Sequence, residues 1–391
     1  MEARGGRPRV VLVHDWLTGM RGGEKCLEVL CRRWPHAALF ALLHRCGSVS
    51  PAIERLQPRT SFLDLLPANH RYYRYLLPLM PAAVTSWRLP PCDLIVSFSH
   101  CVAKAVHPRR QSVPHVCYCF TPMRYAWHMR QAYFGADRVH GVKARLLERF
   151  LGWLREWDRR TADGVTHFLA ISETVRRRIA ECYGRDSTVL YPPVDTDFYH
   201  AAALPREDYY LAVSAFAPYK RLDLAIEACN ALRQTLLIIG SGQDEARLRA
   251  LAGPTVHFLG WQPDVVIRDH LRRCRALLFP GEEDFGIVPV EAQACGAPVI
   301  AFGRGGATET VIPLGRTGVS PVAPTGLWFA EQTVEALAEA LTMFEKRRGL
   351  FSPSAARRQA LRFNAARFAE ELFRYLDRVL YPVADLVRRA A

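Results

Sequence analysis

The constraint that most limits how this chain can fold is a pattern that runs twice. Short runs rich in apolar and β-branched residues alternate with stretches of helical period, and past the midpoint the alternation begins again. In the first half the predicted strands are Arg9 to His14 (RVVLVH), Leu94 to Ser97, His115 to Cys119 and Thr166 to Ile171. In the second they are Tyr209 to Ser214, Thr235 to Ile239, Val256 to Leu259, Ala276 to Phe279 and Pro298 to Phe302. Strands joined through helices pair in parallel, and a parallel sheet needs cover on both faces. The pattern therefore predicts an α/β protein with two successive Rossmann-like domains. At 391 residues the chain also exceeds what one hydrophobic core ordinarily supports. Between the halves, Pro192-Pro193 in VLYPPVDTDF excludes helix and predicts an extended linker. The predicted domains are 1–190 and 191–364, with 365–391 helical in pattern and expected to cross back onto the first.

Charge separates the halves. Residues 1–200 hold 29 Lys and Arg against 17 Asp and Glu (29 − 17 = +12), whereas 201–391 hold 23 against 21 (+2). A basic first half attracts anions, whether nucleic acid, an anionic membrane or a phosphorylated substrate. No zinc finger, RNP-type sequence or recognition helix is present, which argues against nucleic acid. No run of about 18 uncharged apolar residues occurs, and the N-terminal apolar stretch is too short for a signal peptide; both predict a cytoplasmic protein. The eleven cysteines lack paired metal spacing, and Cys117 and Cys119 in VCYCF suit a buried strand with reduced thiols. Residues 71–80 and 145–157 mix arginines with bulky apolar and aromatic side chains, a composition that suits either packing on the domain or a membrane interface.

Chemistry concentrates after the strand LLFP, in Glu283-Asp-Phe-Gly-Ile-Val-Pro-Val-Glu291. A loop containing Gly286 leads to a helix that Pro289 is expected to open and Gly296 to close. Backbone N–H groups at such a helix start bind anions at the carboxyl end of a parallel sheet, which makes Gly286, Ile287 and Val288 candidates for holding a phosphate. Glu291 is expected in the first helical turn, where it can accept hydrogen bonds from sugar hydroxyls, and Glu283 on the loop ahead. The bland alternative is a carboxylate complementing the helix dipole beside a solvated loop acid. Lys220 and Arg221 in VSAFAPYKR follow another strand and are candidate cations for a departing diphosphate. Gly240-Ser-Gly242 is a weak motif that a tight turn explains equally well. In the first half RVVLVH runs into DWLTGMRGGEK, where Gly22 and Gly23 open a helix and let the backbone approach a ligand closely.

The run Glu283 to Val311 resembles the E-x7-E signature region of the family 4 glycosyltransferases. The GGEK loop, APYKRLDLAIEA, IGSGQDEARLRALA and LYPPVDTDFY are similar to that family as well, so the resemblance covers nearly the whole chain. SFSHCVAKAV and CYCFTPMRYAW resemble its bacterial O-antigen and exopolysaccharide mannosyltransferases. The resemblance implies the GT-B fold, two Rossmann-like domains facing a central cleft, and retaining transfer of a hexose without a bound cofactor. The donor would be a nucleotide-sugar, GDP-mannose above others, and the acceptor a lipid-linked or growing glycan in cell-surface polysaccharide biosynthesis, with peripheral association at the inner face of the cytoplasmic membrane.

By the same resemblance Glu291 would bind the ribose, Gly286 to Val288 the diphosphate, and Glu283 would sit near the transferred sugar. Lys220 would meet the diphosphate, and Gly23 would belong to the loop over the donor. His100 and Arg124 complete the substrate-binding candidates, with His14 and His128 as rival histidines. Two departures stand out: Ala215 occupies the place of a family arginine and Phe120 that of a family histidine. They keep open a catalytically inactive GT-B-like scaffold. The carboxylate pair alone would also suit a hydrolase, but hydrolysis leaves the phosphate-binding features unused. Asp195-Thr-Asp197 has the form of a metal-binding triplet, yet its place after Pro-Pro predicts a turn and no required metal.

Overall fold

The computed structural model describes residues 7–108, 110, 112–128, 141–315 and 322–382. The chain forms two compact units. One runs to Pro192 and resumes at Phe368; the other is Pro193–Arg367. The expected helix at the C-terminus spans Ala365–Leu380 and lays Phe368, Leu372 and Leu376 into buried positions, with the Phe368 ring 5.7 Å from that of Tyr118 in the first unit. Residues 383–391 of that predicted segment lie outside the described part.

Among the described residues the first unit is built on seven parallel strands: β1 (Val10–His14), β2 (Ala38–Ala41), β3 (Arg59–Thr60), β4 (Leu94–Ser99), β5 (His115–Cys119), β6 (His167–Ala170) and β7 (Ser187–Val189), in the order β3-β2-β1-β4-β5-β6-β7. Every residue of β1, β4 and β5 is buried, as two-sided cover demands, and this explains the unbroken apolar run VVLV rather than an alternating one.

The second unit repeats the design with β8 (Tyr210–Val213), β9 (Leu236–Ile239), β10 (Val256–Gly260), β11 (Leu277–Phe279), β12 (Val299–Phe302) and β13 (Gly326–Phe329), ordered β10-β9-β8-β11-β12-β13 and parallel throughout. Four strands were not foreseen: β2, β3, β7 and β13. None carries the four- to six-residue β-branched run that marked the others; β3 has two residues, and β13 (GLWF) starts on glycine.

All eleven cysteines are free thiols, with Cys117 and Cys119 buried on β5. Among the described residues no helix is long and apolar enough to cross a membrane.

Candidate functional site

In both sheets the strand order reverses beside the first strand, between β1 and β4 and between β8 and β11. Connections leaving adjacent strands at such a point diverge to opposite faces, which opens a crevice at the strands' carboxyl ends, where open α/β sheets bind ligands. The candidate residues of the second unit lie in the two loops that bound its crevice. The loop after β8 ends in the tight turn Pro218–Lys220, and the loop after β11 leads to the helix Ile287–Ala294.

That helix starts two residues earlier than the proline predicts. Gly286, at φ +81°, is the N-cap; Ile287 and Val288 are its first two residues, and Pro289 is the third. Proline lacks an N–H, which is no loss anywhere in a first turn, so it marks the turn rather than its opening residue. Consequently the amides of Gly286, Ile287 and Val288 have no acceptor within the helix, and the next position contributes no N–H. Among the described residues no backbone carbonyl outside the helix accepts from these three.

Glu291 accordingly sits in the second helical turn, not the first, and is buried at 7% exposure. Its side chain belongs to the face of Ile287 and Val288, since helical side chains lean toward the N-terminus over the residues three and four earlier. A carboxylate and three amide donors thus share one end of one helix. Gly296, at φ +80°, follows the C-cap Cys295 and closes the helix as predicted.

Glu283 is not a solvated loop acid. It forms an ion pair with Lys220 across the crevice, the two side chains 21% and 15% exposed. The backbone under Glu283 is clamped by the loop after β12: Gly306 N–H donates to Glu283 O at 2.8 Å. A Cβ on Gly306 would lie 2.2 Å from Phe285 Cα, an approach only glycine permits. Phe285 in turn packs its ring against Phe363 at 5.5 Å. Arg221 takes a different direction from Lys220. Its backbone is left-handed (φ +51°), and its guanidinium holds the Asp223 carboxylate at 3.1 Å in the first turn of the next helix. Lys220 is therefore the cation set beside the crevice glutamate, and Arg221 is committed to its own helix.

The first unit shows a second constellation at its own strand-order reversal. Gly22 opens the helix Gly22–Arg33. A Cβ on Gly23 would come within 3.1 Å of His14 Nε2 and 3.2 Å of the Phe120 ring, so a larger residue here would press on both rings. His14 is buried, and its Nδ1–H donates to Trp16 O at 2.8 Å. Burial, helped by the neighbouring His100, pushes its pKa down to about 4, so the ring is neutral at neutral pH.

Asp15, which the sequence reading passed over, organises this edge. Its carboxylate accepts the backbone N–H groups of His100, Cys101, Val102 and Ala103 at 2.7 to 2.9 Å and lies 3.1 Å from His100 Nδ1. Burial drives its pKa upward while the amides oppose that shift. The four amides can only donate, so they favour the ionised form against the cost of burial. An aspartate placed directly after a wholly buried strand is the signal that would have identified it.

Of the three candidate histidines, His14 is sealed beneath Gly23. His128 is exposed with Nε2 3.4 Å from Cys182 Sγ. His100 is 26% exposed and oriented by Asp15, with its ring edge-on to Trp16 at 4.4 Å. Arg124 is half-buried in the loop after β5. Phe120 joins an aromatic cluster with Phe98 and Tyr118 at 6.4 and 5.5 Å. The Asp195-Thr-Asp197 triplet is a turn: Asp195 accepts Phe198 N–H at 2.9 Å. Among the described residues no group of three or more His, Cys, Asp or Glu is arranged to hold a metal.

Two Rossmann-type sheets, one carrying a helix N-terminus, a lysine and two glutamates at its strand-order reversal, make this end of the second unit a candidate anion site. Comparison with known proteins identifies the class. The family described as "Glycosyltransferase Family 4" matches residues 20–198, and "Glycosyl transferases group 1" matches residues 196–366. The chain belongs to the family 4 glycosyltransferases.

The GDP-mannose-dependent alpha-(1-6)-phosphatidylinositol monomannoside mannosyltransferase of Mycolicibacterium smegmatis is 33% identical over 188 residues, 40% of this chain and 48% of that one. The alpha-1,3/1,6-mannosyltransferase of Kluyveromyces lactis is 25% identical over 251 residues, 50% of each. The chain thus spans about half the length of the curated relatives it matches. Among solved structures, the Anabaena protein HepE in complex with UDP and glucose superposes with a TM-score of 0.62 at 16% identity, over 95% of this chain and 100% of that one. That likeness concerns the fold.

Proposed function

We propose that the protein transfers a hexose, mannose from GDP-mannose, with retention of configuration to a lipid-linked or growing glycan acceptor of cell-surface polysaccharide biosynthesis. The observation that carries this reading is the helix Ile287–Ala294, whose N-terminal amides follow directly on the loop in which Glu283 pairs with Lys220, and which buries Glu291 in its second turn. Mannosyl transfer is favoured because two of the relatives are mannosyltransferases by name, one of them GDP-mannose-dependent.

A nucleoside diphosphate is already a good leaving group, so the protein has to stabilise charge rather than supply a strong acid. In this reading the amides of Gly286, Ile287 and Val288 and the ammonium of Lys220 hold the diphosphate, and Glu291 accepts from the ribose hydroxyls. The bond from the anomeric carbon to the phosphate oxygen breaks as the acceptor oxygen bonds the same face of that carbon. The acceptor's proton passes to the departing phosphate oxygen. Glu283, released as the diphosphate engages Lys220, is placed to face the positive charge that develops on the sugar ring. In the first unit, Gly22 and Gly23 shape the backbone at the helix start, while His100, fixed by Asp15, and Arg124 are the candidates to meet the acceptor.

Phe120 and Ala215 favour one other reading, an inactive binding protein on the same fold. Thermal stabilisation across GDP, GDP-mannose, UDP and UDP-glucose, followed by transfer from the stabilising donor, tests both, because a ligand that binds only the folded chain raises its apparent stability. Stabilisation by GDP-mannose with turnover supports mannosyl transfer. Stabilisation without turnover against any glycan acceptor supports the inactive reading, and no stabilisation by any nucleotide overturns the site.

A further inference from the structure

Asp158 lies in the last turn of the helix Gly141–Thr161 and is wholly buried. Its Oδ1 takes the Lys104 ammonium at 2.8 Å, and its Oδ2 accepts Trp127 Nε1–H at 2.9 Å and Tyr183 OH at 2.8 Å. Lys104, itself buried, also donates to Asp158 O at 2.6 Å and to Thr161 Oγ1 at 2.9 Å, which sets a cation on the carbonyl end of that helix. The same Nζ stands 4.8 Å from the centre of the Tyr183 ring. One carboxylate thus joins its own helix to the turn of Lys104, the loop of Trp127 and the helix Glu173–Tyr183.

Two of those segments carry the candidates to meet the acceptor. Lys104 follows His100 by four residues, and the stretch between them is gripped from its other side by Asp15, which accepts the amides of 100–103. Lys104 N–H donates in turn to Ser99 Oγ at 3.3 Å. In the loop after β5, Ala126 N–H and Trp127 N–H both donate to Met123 O, at 3.1 and 3.2 Å, closing a turn that contains Arg124. The Trp127 indole then ties that turn to Asp158.

Stability is a poor reason for a charge pair at this place. Withdrawing a lysine and an aspartate from water carries a large desolvation cost, and apolar side chains of similar volume often fill such a space equally well. The surroundings are already apolar: Ala103, Ala105, Met123, Ala126, Leu151 and Leu154 belong to one core. Apolar burial holds elements together without direction. Three donors converging on one carboxylate fix the angle and register of the segments that bear them, because a donor that slips leaves a buried polar group unmatched.

We propose that Asp158 is a positioning residue for the transfer reaction: through Lys104 and Trp127 it sets the two turns that present His100 and Arg124 to the acceptor. The role in transfer rests on the transferase reading; the tie between the turns does not. Lys104→Met/Asp158→Asn removes both charges together and strands neither, while Trp127→Phe cuts the second tie alone. Hydrogen–deuterium exchange of the full chain without ligand reads the tie. In the double variant the amides of 100–106 and 123–127 are expected to exchange roughly tenfold faster, and in Trp127→Phe those of 123–127 alone, with β1 and the helix Ile287–Ala294 at wild-type rates. Kinetics with GDP-mannose as donor and octyl α-mannoside as acceptor probe read the role. The KM for octyl mannoside is expected to rise by about tenfold or more in the double variant, with the KM for GDP-mannose unmoved.

Wild-type exchange in both turns of the double variant overturns the proposal. So does an equal rise in both KM values, since a merely structural lesion would move donor and acceptor together. If the double variant does not fold, Trp127→Phe decides alone, and unchanged exchange at 123–127 sinks the proposal. If wild type binds nucleotide but transfers to no glycan acceptor, the enzymatic reading falls and the acceptor role with it, while the exchange rates still decide whether Asp158 holds the two turns.

Discussion

Lys220 and Glu283 join the loops after β8 and β11 as an ion pair that is largely withdrawn from solvent. A diphosphate held by the helix Ile287–Ala294 would compete with Glu283 for the same ammonium. Lys220→Ala removes the cation and strands a carboxylate, and is expected to weaken GDP or UDP binding by about 10- to 100-fold, the worth of a charge-assisted hydrogen bond. Glu283→Gln frees the lysine, so nucleotide affinity should hold or rise while turnover falls. Titration calorimetry of both variants decides. A loss in Glu283→Gln as large as in Lys220→Ala would show that the pair binds as one unit and would end the competition argument.

Asp15 is predicted to be the most sensitive polar position of the first unit. Asn in its place keeps the shape but turns an NH2 toward backbone amides that also donate. The mismatch should cost about 2–4 kcal/mol of stability, the range for stranding buried donors. Urea unfolding of Asp15→Asn measures it. The same substitution releases His100, so acceptor KM should rise more than donor KM. A midpoint shift corresponding to less than about 0.5 kcal/mol would mean that the turn at 100–103 holds itself.

The doubling of the fold was legible because it is written in composition: buried parallel strands have to be continuously apolar, and VVLV, LLII and VIAF are. The strands that escaped lie toward the sheet edges or are very short, where neighbours rather than intrinsic preference dictate extension. That a helix follows the loop of Gly286 was legible from that glycine, whose positive φ the loop requires. The starting residue was misplaced because proline fits any of the first positions. What the sequence did not reveal were partnerships between distant residues, Lys220 with Glu283 and Asp15 with the 100–103 turn, since these depend on which strands become neighbours. Asp15 and His100 are 85 positions apart and meet only because β1 pairs with β4.

Glu291 and Gly286 should separate by ligand. Glu291→Ala removes an acceptor for hydroxyls but leaves the amides of 286–288 intact, so it should weaken GDP by roughly tenfold and inorganic pyrophosphate hardly at all. Gly286→Ala forces a Cβ onto a backbone at φ +81° and to within 3.1 Å of the Phe279 ring, disturbing the helix start itself. It should weaken both ligands and cost about 1–2 kcal/mol of stability. Parallel losses of GDP and pyrophosphate in Glu291→Ala would place that carboxylate on the phosphates and overturn the assignment to ribose.

Buried titratable groups set opposite pH limits on the first unit. Burial lowers the pKa of His14 from 6.5 to about 4 and that of His115 to about 3. Below the unfolded value only the unfolded chain takes up the proton, so stability falls as pH drops through that window, by about 2 kcal/mol per histidine at about pH 5. Glu24 works the other way. Burial raises it from 4.5 to about 7, so the folded chain keeps a proton that the unfolded chain has released, and stability declines as pH rises from 4.5 toward 7. Glu24→Gln can still accept from Arg21 N–H, the bond Glu24 makes at 3.1 Å, but cannot ionise. Its advantage over wild type in urea unfolding should therefore grow between about pH 5 and 7 and then level off. His115→Gln, able to keep the bond that Ser97 makes with the ring at 2.7 Å, should flatten the acid limb instead. If Glu24→Gln gains nothing across that range, the carboxyl ionises in the folded chain much as it does in water, and the helix Gly22–Arg33 begins with a charge.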